Sequence, residues 1–114
     1  VAEVPTADGG NMVIPELTPG QRAAALYKAA AARDRRARAK AELKRGTLTV
    51  SALFEAAQND EALAKMRALD LLRSLPRVGT VGAQALLQEL GIAASRRVRG
   101  LGSRQRAELV RRFG

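Results

Sequence analysis

The apolar residues of this chain recur at helical intervals. Val50, Leu53, Phe54 and Ala57 fall at i, i+3, i+4 and i+7, one apolar face of a short helix. Ala83, Leu86, Leu87 and Leu90 repeat the pattern, and Ala107, Val110 and Phe113 mark the inward face of a terminal helix. Between these runs Leu63, Met66, Leu69, Leu72 and Leu75 advance in steps of three. A strict three-residue step drifts around an α-helix, so the segment is expected to break near Lys65–Arg67. No stretch alternates apolar with polar, and no strand is predicted. The fold class is all-α.

Boundary residues sharpen these elements. Thr18 suits an N-cap, Pro19 the first helical position and Gln21 the reciprocal site of a capping box. Gln21 to Arg45 contains no proline or glycine, ten of its 25 residues are alanine, and Gly46 ends it. Thr49 caps the next helix, and Asn59 or Asp60 the one after. Pro76 stops the leucine-rich segment. Gly91 is placed for a left-handed C-cap with Ile92 folding back on Leu87, and Ser103 for the cap of the last helix.

The long helix differs from the others in what it can bury. Leu26 and Leu43 are its only large aliphatic residues, and alanine removes little surface from water. It is expected to project as a basic arm, residues 15–46, from an independently folding unit, residues 47–114. Residues 1–14, small, polar and acidic before Met12, are expected to be a disordered extension.

Composition removes whole classes of function. The chain has 114 residues, no cysteine and no histidine, which excludes disulfides, thiolate metal sites, imidazole catalysis and the common zinc fingers. Its aromatic residues are Tyr27, Phe54 and Phe113, too few for a base-stacking platform. No apolar run reaches membrane-spanning length, and no basic-then-apolar leader opens the chain. No catalytic, metal or cofactor site is expected. A cysteine-free chain fits a reducing cytoplasm.

Charge then points to a partner. The net charge is +9. Residues 21–45 carry +7 and residues 96–114 carry +6, while residues 1–20 carry −3 and residues 46–95 carry −1. Two basic blocks around a nearly neutral core are the footprint of a protein that meets a polyanion. Within the first block only Asp34 and Glu42 are available, along the helix, to pair with its cations. Arg35, Arg36, Arg38, Lys44 and Arg45 are therefore candidate phosphate contacts.

One phrase carries the chemistry: Leu75-Pro76-Arg77-Val78-Gly79-Thr80-Val81-Gly82-Ala83. A helix ends, the chain turns, and a new helix starts at Gly79 with no acidic side chain in front. Free N–H groups and the positive end of the helix dipole attract phosphate there. Arg77, Gly79, Thr80, Val81 and Gly82 are candidates. An ordinary helix–helix turn would use the glycines for φ alone. What weighs against that is the nearby Arg96, Arg97 and Arg99 in a glycine-bounded loop, because guanidinium groups match phosphate oxygens bidentately. The expectation is that turn and loop close on one strand of nucleic acid. Arg111 and Arg112 suit equally well a plain helix C-terminus.

These stretches resemble the actinobacterial integration host factor family. The resemblance covers residues 14–114 and rests on Ile14-Pro15-Glu16-Leu17-Thr18, Gln21-Arg22-Ala23-Ala24-Ala25-Leu26, Lys65-Met66, Ser74 to Gly79 and Ser95 to Gly102. It implies a long N-terminal helix followed by a helix–two-turns–helix domain, a domain type that also occurs in a ribosomal small-subunit head protein. It further implies a monomeric, nucleoid-associated protein that binds and bends double-stranded DNA with little sequence preference and supports phage integrase complexes. Val81 and Gly82 stand where the family often has basic residues, so backbone rather than side-chain contacts are expected at the turn. The same domain type leaves RNA binding as the alternative.

Overall fold

In the computed structural model the described residues are 16–114. The expected disordered extension, residues 1–14, lies outside them. Helix α1, Pro19–Arg45, opens with the capping box foreseen from sequence. The Thr18 hydroxyl accepts from the Gln21 N–H at 3.0 Å, and the Gln21 side-chain oxygen accepts from the Thr18 N–H at 2.9 Å. Gly46 ends the helix in the left-handed region. Only its final turns enter the core, through Ala39 and a fully buried Leu43, whereas Leu26 is 68% exposed. The helix thus has two regimes, a projecting outer half and a base that helps build the hydrophobic cluster.

Helix α2, Val50–Ala57, is capped by Thr49, whose hydroxyl accepts from the Ala52 N–H. Val50, Leu53, Phe54 and Ala57 are all buried, as their spacing requires. Helix α3, Glu61–Ala64, starts on Asp60, whose Oδ1 accepts from the Ala62 and Leu63 N–H groups. The predicted break follows at Lys65–Arg67, and α4 runs over Ala68–Ser74. A single antiparallel bridge between Arg67 and Arg97 holds the break open. It consists of Ala68 N–H to Arg96 O at 2.9 Å and Val98 N–H to Met66 O at 2.8 Å. The break resets the helical phase. Leu71, absent from the three-step row, is therefore fully buried beside Leu72, and Leu69 is only half-buried.

Helix α5, Gly79–Glu89, packs against α4 and buries Ala83 and Leu87. It closes in a Schellman motif, with Ile92 N–H bonded to Leu87 O, Gly91 N–H to Gln88 O, and Ile92 buried. A 3-10 turn, Val98–Gly100, precedes α6, Ser103–Phe113. Two expectations are corrected in α6. The N-cap is Gly102, whose N–H is satisfied by the Gln105 side chain, and Ser103 is already helical. The inward face is Arg106, Leu109, Val110 and Phe113, with Leu109 fully buried and Ala107 exposed. No named strand occurs among the described residues. The all-α architecture is a long helix followed by a small helix–two-turns–helix domain.

Candidate nucleic-acid interface

The turn into α5 is built from backbone. Arg77 (φ 67°) and Gly79 (φ 69°) both lie in the left-handed region. Glycine adopts that conformation freely, while for arginine it costs of order 1–2 kcal/mol. Nothing caps the start of α5 with a side chain, and its first turn has no acidic residue. The leading N–H groups and the positive dipole end therefore face outward uncompensated. A Cβ on Gly79 would meet no protein atom within 4 Å, so the glycine serves φ and leaves the approach open. Thr80 and Val81 are exposed, whereas a Cβ on Gly82 would lie 3.4 Å from the Val78 side chain, so Gly82 faces inward on Val78.

The arginine loop is braced. Arg96 Nη1 donates to Gly100 O and Arg97 Nη1 to Lys65 O, both at 2.6 Å. The Arg96 stem lies so close over Gly100 that a Cβ there would sit 2.9 Å from Arg96 Cδ. Arg106, half-buried below, donates to the carbonyls of Val98, Arg99 and Leu101. Its guanidinium also stacks 5.4 Å from the Phe54 ring centroid. The Arg99 side chain has no hydrogen-bond partner among the described residues. Carbonyl partners fix guanidinium groups without cancelling their charge, so the loop is both ordered and cationic.

The turn and the loop do not form one pocket. The bridge to Arg97 is at the start of α4 and the Gly79 turn follows its end, so the seven residues of α4, about 10 Å of helix, lie between them. They flank opposite ends of α4 as two separate elements.

On α1 the picture is mixed. Arg38 pairs with Asp34 at 3.1 Å, as the sequence allowed. Arg35, however, finds a carboxylate outside the helix. Its Nε donates to Asp60 at 3.0 Å, and Arg36 donates to Ala62 O, so α1 is fastened to α3. The Arg35 guanidinium holds the Asp60 carboxyl below its usual range. Lys44 and Arg45 make no ion pair among the described residues. On α6, Arg111 and Arg112 are tied to Glu108, and Arg112 also to Glu89 on α5. These two arginines, first Arg111 and then Arg112, hold the Glu108 carboxyl down to about 2. They latch α6 to α5.

Lys65, read from the sequence as the site of a break, and Arg106, read as one of the terminal-helix arginines that add positive field, were not among the candidate contacts. Lys65 bonds the loop through its carbonyl, and its ammonium pairs with Glu61 at 3.2 Å. The Glu61 carboxyl is held below its usual range chiefly by Lys65, with further contributions from Lys28 and Arg99. Cations of the arm, the α3–α4 break and the loop thus share one neighbourhood. The resemblance block Lys65-Met66 was the only sequence signal for this position.

Among the described residues no group of histidine, cysteine, aspartate or glutamate could hold a metal ion, and no helix is long and apolar enough to cross a membrane. Comparison with known proteins gives one consistent result. The S13-like H2TH domain family matches residues 43–113. The chain is 52% identical to an integration host factor of Mycobacterium tuberculosis over 90% of its own length and 98% of that relative's. It is 50% identical to an integration host factor of Streptomyces coelicolor over 90% and 96%. Its fold also matches a solved structure of sIHF bound to an 8-base-pair palindromic DNA. That match has a TM-score of 0.74 at 46% identity and covers 77% of this chain and 99% of the other. With half of its residues shared with these relatives across nearly their whole length, the chain belongs to the actinobacterial integration host factor family.

Proposed function

We propose that this protein is an architectural binder of double-stranded DNA that grips phosphates and bends the duplex with little base preference. The observation that carries it is the braced arginine loop. Arg96, Arg97 and Arg106 are held in place by backbone carbonyls and keep their positive charge for a ligand. The uncapped start of α5 adds a second anion-attracting element, formed by Gly79, Thr80, Val81 and Gly82 with Arg77 beside it. The DNA-bound relative supports duplex DNA as the polyanion. Weak base preference follows from the exposed residues of the turn and loop, which lack an Asn/Gln cluster for major-groove readout. In this reading the protein acts as a monomer in the cytoplasmic nucleoid and supports phage integrase complexes by shaping DNA.

Random-sequence duplex titrated at several salt concentrations tests the proposal. Affinity is expected to fall by orders of magnitude between about 50 and 200 mM salt. A flat plot of log affinity against log salt overturns it. Energy transfer between dyes at the two ends of a short duplex should rise on binding if the DNA bends. RNA binding is the second reading, favoured by the S13-like character of the domain. A structured RNA that outcompetes duplex DNA at equal salt would establish it.

A further inference from the structure

A hollow of about 290 Å³ lies where α2, the end of α3, the 3-10 turn and α6 come together. Its floor is apolar, made by Phe54, Ala57 and Val98 of the core with the half-buried Ala64 at the side. Gln58, Arg99 and Arg106 supply its polar groups. We propose that the hollow binds a small amphipathic carboxylate, one ring or short branched chain with an anionic head, whose occupancy draws Arg99 away from DNA phosphate. Only that last step rests on the duplex-binding function proposed above.

Three observations carry the assignment. The first is an unanswered charge. Arg106 Nε and Nη2 are taken up by the carbonyls of Leu101, Val98 and Arg99, and Nη1 has no acceptor among the described residues. Neither Arg106 nor Arg99 forms an ion pair among them. The Arg106 guanidinium lies half-buried over the Phe54 ring, partly withdrawn from water, where a charge without a counter-ion is costly. None of the described side-chain polar atoms is both buried and unpartnered, so Nη1 stays within reach of an incoming ligand.

The second observation is size. Ligand sites usually run from about 300 to 1,000 Å³. This hollow, near the lower bound, suits a single ring or a short branched chain and is too small for a nucleotide. The third is the mixture of surfaces. A phosphodiester strand brings an anionic edge but no apolar body to cover Phe54 and Ala57. A neutral hydrocarbon leaves both guanidinium groups unpaired. A carboxylate on an apolar stem answers both, its two oxygens accepting from Arg106 Nη1 and from Arg99. The loop is thereby neutralised at its root, while Arg96 and Arg97 keep their carbonyl partners.

The full chain, isotope-labelled and free of DNA, is titrated with phenylacetate and with the neutral phenylacetamide while nuclear magnetic resonance follows the amides. Saturable shifts are expected at the Arg106 Nε–H and the backbone of residues 98–101. The dissociation constant should be on the order of 1 mM for so small a ligand, and the amide should bind about tenfold more weakly. Ala64→Leu fills the hollow from the side and should abolish the shifts while leaving duplex binding as in the parent. Gln58→Glu, exposed at the rim and clear of the core, should weaken phenylacetate about fivefold and leave the amide unchanged. It decides the matter by charge if Ala64→Leu fails to fold. On random duplex, saturating phenylacetate should weaken affinity severalfold against acetate at equal concentration and lower the salt slope by about one.

Acetate or the amide reproducing the shifts overturns the site. So does Gln58→Glu, or a folded Ala64→Leu, binding phenylacetate as the parent does. Phenylacetate that saturates the hollow without weakening duplex binding removes the link to DNA, and the inference falls with it. A parent that binds no duplex sinks the function proposed above instead, and the shifts, measured without DNA, still decide the site.

Discussion

The two basic regions hold their charge in opposite ways. On the outer half of α1, Arg22, Lys28 and Arg33 stand on an exposed helix with no hydrogen-bond partner among the described residues. In the loop, Arg96 and Arg97 are fastened to carbonyls by bonds of 2.6 Å. Immobilising a free arginine or lysine costs up to about 2 kcal/mol of side-chain entropy. For the loop that cost falls on folding, whereas for the arm it falls on binding. On the proposed function, equal charges are therefore expected to give unequal affinity, with the loop worth more per arginine than the arm.

The largest effect tests where the arm ends and the domain begins. Deleting residues 1–31 removes most of the projecting half and should leave a cooperatively melting domain with weaker DNA binding. Deleting residues 1–45 also removes Ala39 and Leu43 from the core. Truncating a buried leucine to alanine alone costs about 2–5 kcal/mol, so the shorter fragment should melt far lower or not fold. A fragment 46–114 as stable as the parent would make all of α1 an appendage, as the alanine content first suggested.

Next in size is the turn. Gly79→Asp places a carboxylate at the uncovered start of α5 and should reduce affinity more than tenfold, beyond any loss of stability. Gly79→Ala is the control, because it shares the left-handed φ penalty, about 1 kcal/mol, without the charge. If the two bind alike, the turn is structural and the loop is the sole anchor of the domain.

A direct comparison of the regions comes third. Arg96→Ala with Arg97→Ala should weaken all duplex sequences about equally and lower the salt slope by roughly two. Measured by the same titration, the loss should exceed that of Arg22→Gln with Lys28→Gln. Thermal stability should fall only slightly, since both side chains are exposed. Equal losses would erase the distinction between pinned and free cations.

The smallest effect is in pH. Glu108 has its carboxyl held down to about 2 by Arg111 and Arg112. A lowered folded-state value means that its contribution is complete above the unfolded value of about 4.3. It is lost as pH falls toward 2. The melting temperature of the parent should therefore decline more steeply across pH 4.5 to 2 than that of Glu108→Gln. All three groups remain in reach of solvent, so the difference should be small.

What the sequence disclosed was local. The Thr18–Gln21 capping box, the Thr49 and Asp60 caps, the break at Lys65–Arg67 and the Gly91–Ile92 closure each depend on residues within a few positions of one another. What it hid was set by distance or phase. Leu71 escaped notice because a three-step row assumes one continuous helix, and the Arg67–Arg97 bridge resets the phase. Leu109 escaped because an arginine, Arg106, occupies the inward face where an alanine was expected. The candidate contacts at Gly79 and Arg96–Arg99 were legible as residue types. Their separation by α4, the Arg97–Lys65 bond across 32 positions and the Arg35–Asp60 bond across 25 positions were not, because no periodicity encodes contacts between elements.

The attachment of α1 has a mechanical consequence. The helix is gripped at its base by Leu43 and at its middle by the Arg35–Asp60 pair, and beyond that it runs unsupported to Pro19. The free length is about 25 Å at the rise of an α-helix, so a tilt of about 10° at the fulcrum sweeps the tip through about 4 Å. Exchanging a single half-exposed ion pair is a small event by stability standards, but here it is placed where leverage is greatest. The angle between arm and domain is thereby set where Arg35 meets Asp60 and Arg36 meets the Ala62 carbonyl.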